Sequence, residues 1–275
     1  MKIVSNKVDL VFVVLVYRNS KDIKNLIKSI NENINVNRKI IIVNSFYDET
    51  SKGEIQKIAE DTKSDFLNIP NKGYGYGNNK GIEFAKNNYI FDYLIVCNPD
   101  TIIQEFEIPD TFDKNDSCII APKILTLTKK NQNPYYKKKS NFKEWILYNA
   151  YKRNIKNLFF LSNLIGRIQR EFFEMKIKIL RKKKMEIYAS HGSFLVFSSK
   201  MIFQFEKIYD ENIFLFSEEN DLARLCYENK IPMYYFPDLK IIHKEDGSMG
   251  FVDHSLIKYK KQSFMYYYEK WKLKK

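Results

Sequence analysis

Residues Asn71–Ile82 read "NKGYGYGNNKGI", with Gly at 73, 75, 77 and 81, four of the nine glycines in 275 residues. A dinucleotide-binding fingerprint needs its third Gly three residues after the second, and counting from Gly73 that position is Asn78. A P-loop is excluded because no GK[ST] closes the run. A hairpin tip would need strand-like sequence on both sides, but "GNNKGIEFAKNN", starting at Gly77, has helical character. What remains is a Gly-rich turn that leaves a strand and enters a helix N-terminus, where backbone N–H groups can meet a polar or anionic ligand.

Upstream, apolar runs alternate with helical patterns. "LVFVVLV" reads as a buried first strand, and "SKDIKNLIKSINEN" as a helix with Ser20 as N-cap and Ile23, Leu26, Ile27 and Ile30 at helical spacing. "KIIIVN" (strand), "TSKGEIQKIAED" (helix) and "DFLNIP" (short strand) lead into the glycine loop, and "YLIVCNPD" follows it as another strand. Continuous apolar runs alternating with helices predict a mainly parallel sheet covered on both faces, with its ligand at the carboxyl ends of the strands. The polar strand ends "YRNS", "VNSFYD" and "CNPD" therefore mark the expected site.

Farther along come a strand in "SCIIAPKIL", a β-rich stretch "EIYASHGSFLVFSS", a short helix at "KMIFQFEK", a helix in "FSEENDLARLCYENK" and a last strand "MYYFPDLKIIHK". No internal repeat is present. The run Val8–Tyr17 lacks a small-residue cleavage site and falls short of the ~20 residues that span a bilayer. Three scattered cysteines without CxxC spacing argue against a disulfide scaffold or structural zinc and fit a reducing cytosol.

Charge is concentrated. Residues 129–184 hold 17 Lys/Arg against three acids, a net +14 within a chain of net +13, so the remainder is close to neutral. Trp145, Ile146, Phe159, Leu164, Ile168 and Phe172 recur through this segment and predict an amphipathic helical pair suited to an anionic membrane surface, where each near-surface Lys or Arg is worth ~1 kcal/mol. A solvated helical insertion and a nucleic-acid module are the alternatives. The second of these leaves the neutral α/β body and its acids at the strand ends unexplained. A basic, aromatic tail, "LIKYKKQSFMYYYEKWKLKK", closes the chain. The expected division is 1–128, first α/β half; 129–185, basic helical insertion; 186–255, second half; and 256–275, tail.

Three acidic or imidazole positions carry chemistry. Asp100 directly follows a buried strand, where a lone Asp commonly caps a helix or forms a turn. Glu218, Glu219 and Asp221 crowd one helix start beside apolar "NIFLF"; such acids suit the helix dipole, and partial desolvation suits a general base. His243 ends the last strand just before "KED" (244–246), so the chain is leaving the core there.

In this order, "VVLVYRNS", "IIIVNSFYDETS", "NKGYGYGNNKGI", "DYLIVCNPDT", "GSFLVFSS", "YDENIFLFSEENDL" and "IIHKEDGS" resemble family 2 glycosyltransferases of the GT-A fold, especially the bacterial rhamnosyltransferase-like branch of surface-polysaccharide assembly. The resemblance implies a nucleotide-sugar donor held by Val16, Tyr17, Asn19, Asn44, Ser45, Asn71, Gly73, Asn79, Asn98, Asp100 and Gly192. Relatives usually carry Asp where Asn44 stands, and Asn98 replaces the first acid of a DxD-type motif. It further implies Mn2+ or Mg2+ at Asp100 and His243, Glu219 as catalytic base with Glu218 as the near alternative, and acceptor contacts from His191 and Asp221. The implied reaction is inverting transfer of a hexose or deoxyhexose, rhamnose by the branch, to a glycan or polyprenyl-linked acceptor. The implied place is the inner face of a bacterial cell membrane, held peripherally, with no nucleic acid involved. A catalytically impaired nucleotide-sugar binder is the competing expectation.

Overall fold

The computed structural model describes residues 6–108, 112, 115–180, 183–245 and 254–272; Asp246 lies outside them. The first half alternates β1 (Asn6–Val16), α1 (Ser20–Asn33), β2 (Arg38–Phe46), α2 (Glu49–Asp61), β3 (Asp65–Pro70), α3 (Tyr74–Asn88) and β4 (Tyr89–Cys97). Then follow β5 (Thr101–Glu105), β6 (Ile119–Thr126), α4 (Asn141–Arg153), α5 (Lys156–Leu180), β7 (Met185–Ile187), β8 (Phe194–Ser198), α6 (Ser199–Gln204), α7 (Glu218–Glu228), β9 (Met233–His243) and α8 (His254–Lys272). The strands form one sheet in the order β3-β2-β1-β4-β8-β6-β9-β5, with β7 also on β9.

β3, β2, β1 and β4 are parallel, as the apolar runs predict, whereas β8 joins β4 antiparallel and the far half is mixed. Alternation along β1 sorts the core. Val11 and Val13 face α3, α6 and α7; Leu10, Phe12, Val14 and Val16 face α1 and α2. The order of strands reverses at β1–β4, the switch point at which such sheets open a ligand crevice.

Two local readings change. Asn19, rather than Ser20, caps α1, its Oδ1 accepting from the N–H groups of Lys21 at 3.0 Å and Asp22 at 3.4 Å. The glycine loop is mostly helix, because α3 begins at Tyr74 and takes in Gly75, Gly77 and Gly81. A β-carbon at Gly77 would lie 2.4 Å from Leu15, and one at Gly81 2.3 Å from Val13. These glycines let α3 press onto the sheet. Gly73 alone has positive φ (104°), and its missing side chain makes room for the Phe214 carbonyl.

The basic segment does form two packed helices, α4 and α5. The tail does not stand apart from them. α8 lies on α4 through a cluster of Tyr148, Phe264, Tyr267 and Tyr268, with the Tyr148 and Tyr268 rings stacked 4.3 Å apart. Tyr267 Oη donates to the buried Glu144 at 2.9 Å. Cys97, Cys118 and Cys226 are buried free thiols.

Candidate active site

β4 ends at Cys97 and the chain turns through Asn98–Asp100 into β5, Thr101 Oγ1 donating to the Asn98 carbonyl at 2.7 Å. β5 pairs with β9 so that Thr101 sits opposite His243. That register carries the preceding residue, Asp100, to the imidazole: Asp100 Oδ1 and His243 Nε2 are 3.4 Å apart, both groups nearly buried. The His191 ring lies 5.3 Å from His243, centroid to centroid, and Tyr135 lies 6.3 Å beyond His191. The Gly192 N–H donates to Glu219 Oε1 at 3.4 Å, and the Gly192 carbonyl accepts from Tyr74 Oη at 2.9 Å. Asp100, His243, His191, Gly192 and Glu219 thus form one continuous line across the crevice.

The two glutamates differ. α7 starts after Phe216 and Ser217, both left-handed at φ 68° and 71°, which sets the angle of its first turn. Glu219 faces the Gly192 turn. Burial raises its carboxyl above the usual range, opposed by its own backbone N–H and that of Gly192. Glu218 is more strongly raised, by burial first and by the neighbouring Glu219 second, and its Oε1 has no hydrogen-bond partner among the described residues. Burial likewise raises the Tyr74 and Tyr209 hydroxyls, and both lie within the field of the two glutamates.

At the other end of the crevice, Arg18 lies over Tyr47, 3.6 Å from the ring centroid, and 4.9 Å from Tyr17. Asn44 Nδ2 donates to Asn68 Oδ1 at 2.7 Å, leaving the buried Asn44 Oδ1 without a partner among the described residues. Ser45 is buried beside it, and Asn71 turns back to accept from the Gly73 N–H at 3.3 Å.

Several expected contacts face elsewhere. The side chain of Val16 is in the core, and the amide of Asn19 is engaged in the α1 cap. Asn79 is used in full on the 208–211 segment, donating to the Tyr209 carbonyl (2.8 Å) and Glu211 (3.1 Å) and accepting from the N–H groups of Ile208 and Tyr209. Asp221, expected at the acceptor, accepts instead from Trp271 Nε1 at 2.6 Å and Lys270 Nζ at 2.8 Å, both on α8. Gly73 rests on the Phe214 backbone, which explains a glycine there without any ligand. Arg18, Tyr47, Tyr74 and Tyr135 were not singled out by sequence, although Arg18 and Tyr47 stand inside the strand-end motifs "YRNS" and "VNSFYD".

Among the described residues no cluster of three or more His, Cys, Asp or Glu could hold a metal ion. Asp100 and His243 nonetheless make a converging oxygen–nitrogen pair. That donor set fits Mn2+ or Mg2+ only where further oxygens, such as those of a diphosphate and water, complete the shell.

Solved structures share this fold over most of the chain. The fold is GT-A. GalNAc-T7, solved with UDP, GalNAc and Mn2+, aligns over 87% of this chain with a TM-score of 0.60 and 11% identity. S. aureus TarS aligns over 86% with a TM-score of 0.55 and 10% identity, and its 1–349 fragment over 96% with 0.55 and 9%. The chain spans 44% of GalNAc-T7, 36% of TarS and 72% of the fragment. No family model and no curated protein matches the sequence.

Proposed function

We propose that this chain is an inverting glycosyltransferase that moves a sugar from a nucleoside-diphosphate donor to a glycan or lipid-linked acceptor. The observation that carries this reading is the line from Asp100 and His243 through His191 and Gly192 to Glu219, at the carboxyl edge of the parallel half of the sheet. Tyr17, Arg18 and Tyr47 offer a stacking surface for a base, with Asn44, Ser45 and Asn71 beside it. A divalent ion held by Asp100 and His243 would neutralise the charge that gathers on the departing diphosphate.

The chain's own residues supply the rest. Glu219 takes the proton of the attacking hydroxyl as the new bond forms at the anomeric carbon and the bond to the diphosphate oxygen breaks. Its raised pKa suits it to keep that proton. One in-line displacement inverts the anomeric centre. Glu218, buried with its carboxyl pushed above the usual range, serves the packing of α7 in this reading, and His191 with Tyr135 remains on the acceptor side after Asp221 is assigned to the α8 contact. Rhamnose is the sugar that the branch resemblance suggests.

A second observation favours membrane attachment. On α5, Phe160, Leu161, Leu164, Ile168, Phe172 and Met175 are all exposed, 72% for Phe160 and 63% for Phe172. At 3.6 residues per turn they fall within an arc of about 120°. Among the described residues no helix is long and apolar enough to cross a membrane. We assign this face to the surface of an anionic bilayer at the inner side of a bacterial cell membrane, a place that suits a polyprenyl-linked acceptor. The tail, whose Phe264, Tyr267 and Tyr268 are buried against α4, contributes charge rather than apolar contact.

Thermal shifts of the purified chain against a panel of nucleotide-sugars, with and without Mn2+, test the reading. One donor should stabilise the protein, more so with Mn2+. No donor-dependent shift, or tight salt-sensitive binding of RNA or DNA, would reject it; donor binding with no transfer to any glycan acceptor would favour the impaired relative that Asn98 and Asn44 suggest.

A further inference from the structure

The basic insertion also reaches the Asp100–His243 pair. After β6 the chain turns back, the Thr126 N–H donating to the Lys130 carbonyl at 2.9 Å and the Gln132 N–H to the Ile124 carbonyl at 2.8 Å. This turn lays Gln132 beside the end of β9, where its Oε1 is 2.9 Å from His243 Nδ1. At its other end the Gln132 Nε2 donates to Glu245 Oε1 at 2.6 Å.

The roles along this chain of bonds follow from what each group can do. A carboxylate only accepts, so Glu245 draws the NH2 end of the Gln132 amide toward itself. The oxygen end then faces the imidazole and can only accept, so at 2.9 Å it draws the ring proton to His243 Nδ1 over the longer 3.4 Å contact at which Asp100 Oδ1 competes for it on Nε2. A neutral imidazole protonated at Nδ1 carries its lone pair on Nε2, the atom that faces Asp100 Oδ1 at 3.4 Å.

We propose that Gln132 is a positioning residue that holds His243 in its Nδ1–H tautomer, and that Glu245 orients Gln132, so that His243 Nε2 and Asp100 are presented together to a divalent cation. The proposal rests on the reading of Asp100 and His243 as the metal pair. It places in the insertion a residue on which that pair depends. Bonds of this kind behind a histidine ligand raise its basicity and fix its ring.

Two measurements on the full chain test it. Long-range 1H–15N NMR of the metal-free protein, with His243 assigned by its loss in His243→Asn, should show the neutral ring in its Nδ1–H form, and Gln132→Ala should shift it toward Nε2–H. Mn2+ titrations followed by EPR should show at least about tenfold weaker binding in Gln132→Ala. The exchange Gln132→Glu with Glu245→Gln, which keeps an oxygen acceptor at Nδ1 and an N–H···O bond between the two side chains, should retain both the tautomer and the affinity, separating the bond from a packing defect. An unchanged tautomer in Gln132→Ala, or the double exchange failing like Gln132→Ala, overturns the assignment. Asp100→Ala distinguishes the two layers of the argument: if it leaves Mn2+ binding intact, the metal pair itself is misassigned, whereas if it abolishes binding while Gln132→Ala has no effect, only the role of Gln132 fails.

Discussion

Glu219 fills the space that a side chain would take at Gly192: its Oε1 accepts from the Gly192 N–H at 3.4 Å and lies 3.0 Å from where a β-carbon would stand. Gly192→Ala should therefore push the carboxylate out of line while leaving the fold intact. Misplacement of a reacting group by 1 Å can cost about 10²-fold in rate. Turnover should fall by about that factor in Gly192→Ala, with donor affinity by calorimetry nearly unchanged.

Glu219→Gln should lower turnover by about 10²–10⁴-fold, the contribution of a general base. Glu218→Gln should leave turnover within about tenfold, because Glu219, not Glu218, accepts from the Gly192 N–H on the line of residues.

The same pair predicts a pH effect on stability. An unfolded Glu218 loses its proton near the ordinary value of 4.5, while in the folded chain burial keeps the proton on. Above that pH the folded state binds more protons than the unfolded one, so stability falls as pH rises, until the buried carboxyl ionises as well. Glu218→Gln removes its share of this dependence and leaves that of Glu219. Urea unfolding from pH 4 to 8 should show a stability advantage for the variant that grows with pH; a difference independent of pH would contradict the buried, protonated assignment.

Lys270 bridges Asp210 and Asp221 at 2.8 Å each, and the Asp221 side chain is 6% exposed. Lys270→Ala leaves Asp221 with Trp271 but without a countercharge, a loss of about 3 kcal/mol for a pair buried to this degree. The melting temperature should fall, and hydrogen exchange in α7 should quicken. Lys270→Met, tested beside it, should lose as much, since the charge rather than the length is at issue.

Replacing Phe160 and Phe172 with Ser should weaken binding to vesicles rich in phosphatidylglycerol by up to about 10³-fold, given about 2 kcal/mol for each Phe when fully buried. Flotation with neutral phosphatidylcholine vesicles should show little binding for either protein. Equal binding of the wild-type chain to both vesicle types would argue against an electrostatic contribution from the insertion.

The parallel half of the sheet was legible because β1, β2 and β4 are continuous apolar runs, and a strand buried on both faces needs nothing else. The polar strand ends and the first turn of α7 were legible too, since they carry polar residues against an apolar background. Individual side chains were not. Asn19, Asn79 and Asp221 are the residue types that contact sugars and nucleotides, but they also cap helices and tie loops, and the partner that decides between these roles lies as far as 130 residues away in the case of Asn79 and Tyr209. The glycines of the 71–82 stretch mislead for a related reason. Close packing of a helix on a sheet and close approach of a ligand both need a missing β-carbon, and only the position of Leu15 and Val13 shows which applies at Gly77 and Gly81. Gln132 had no motif to announce it.

The clamp between α8 and α7 has a bearing on how the chain is made. Lys270 follows Asp221 by 49 residues, so the helix that carries Glu219 emerges from the ribosome well before the residue that holds it in place. At about 5–20 residues per second, the crevice has its floor for several seconds before its wall is fastened. A nascent chain in that interval would already present the β1–β4 half, yet α7 would still lack its anchor.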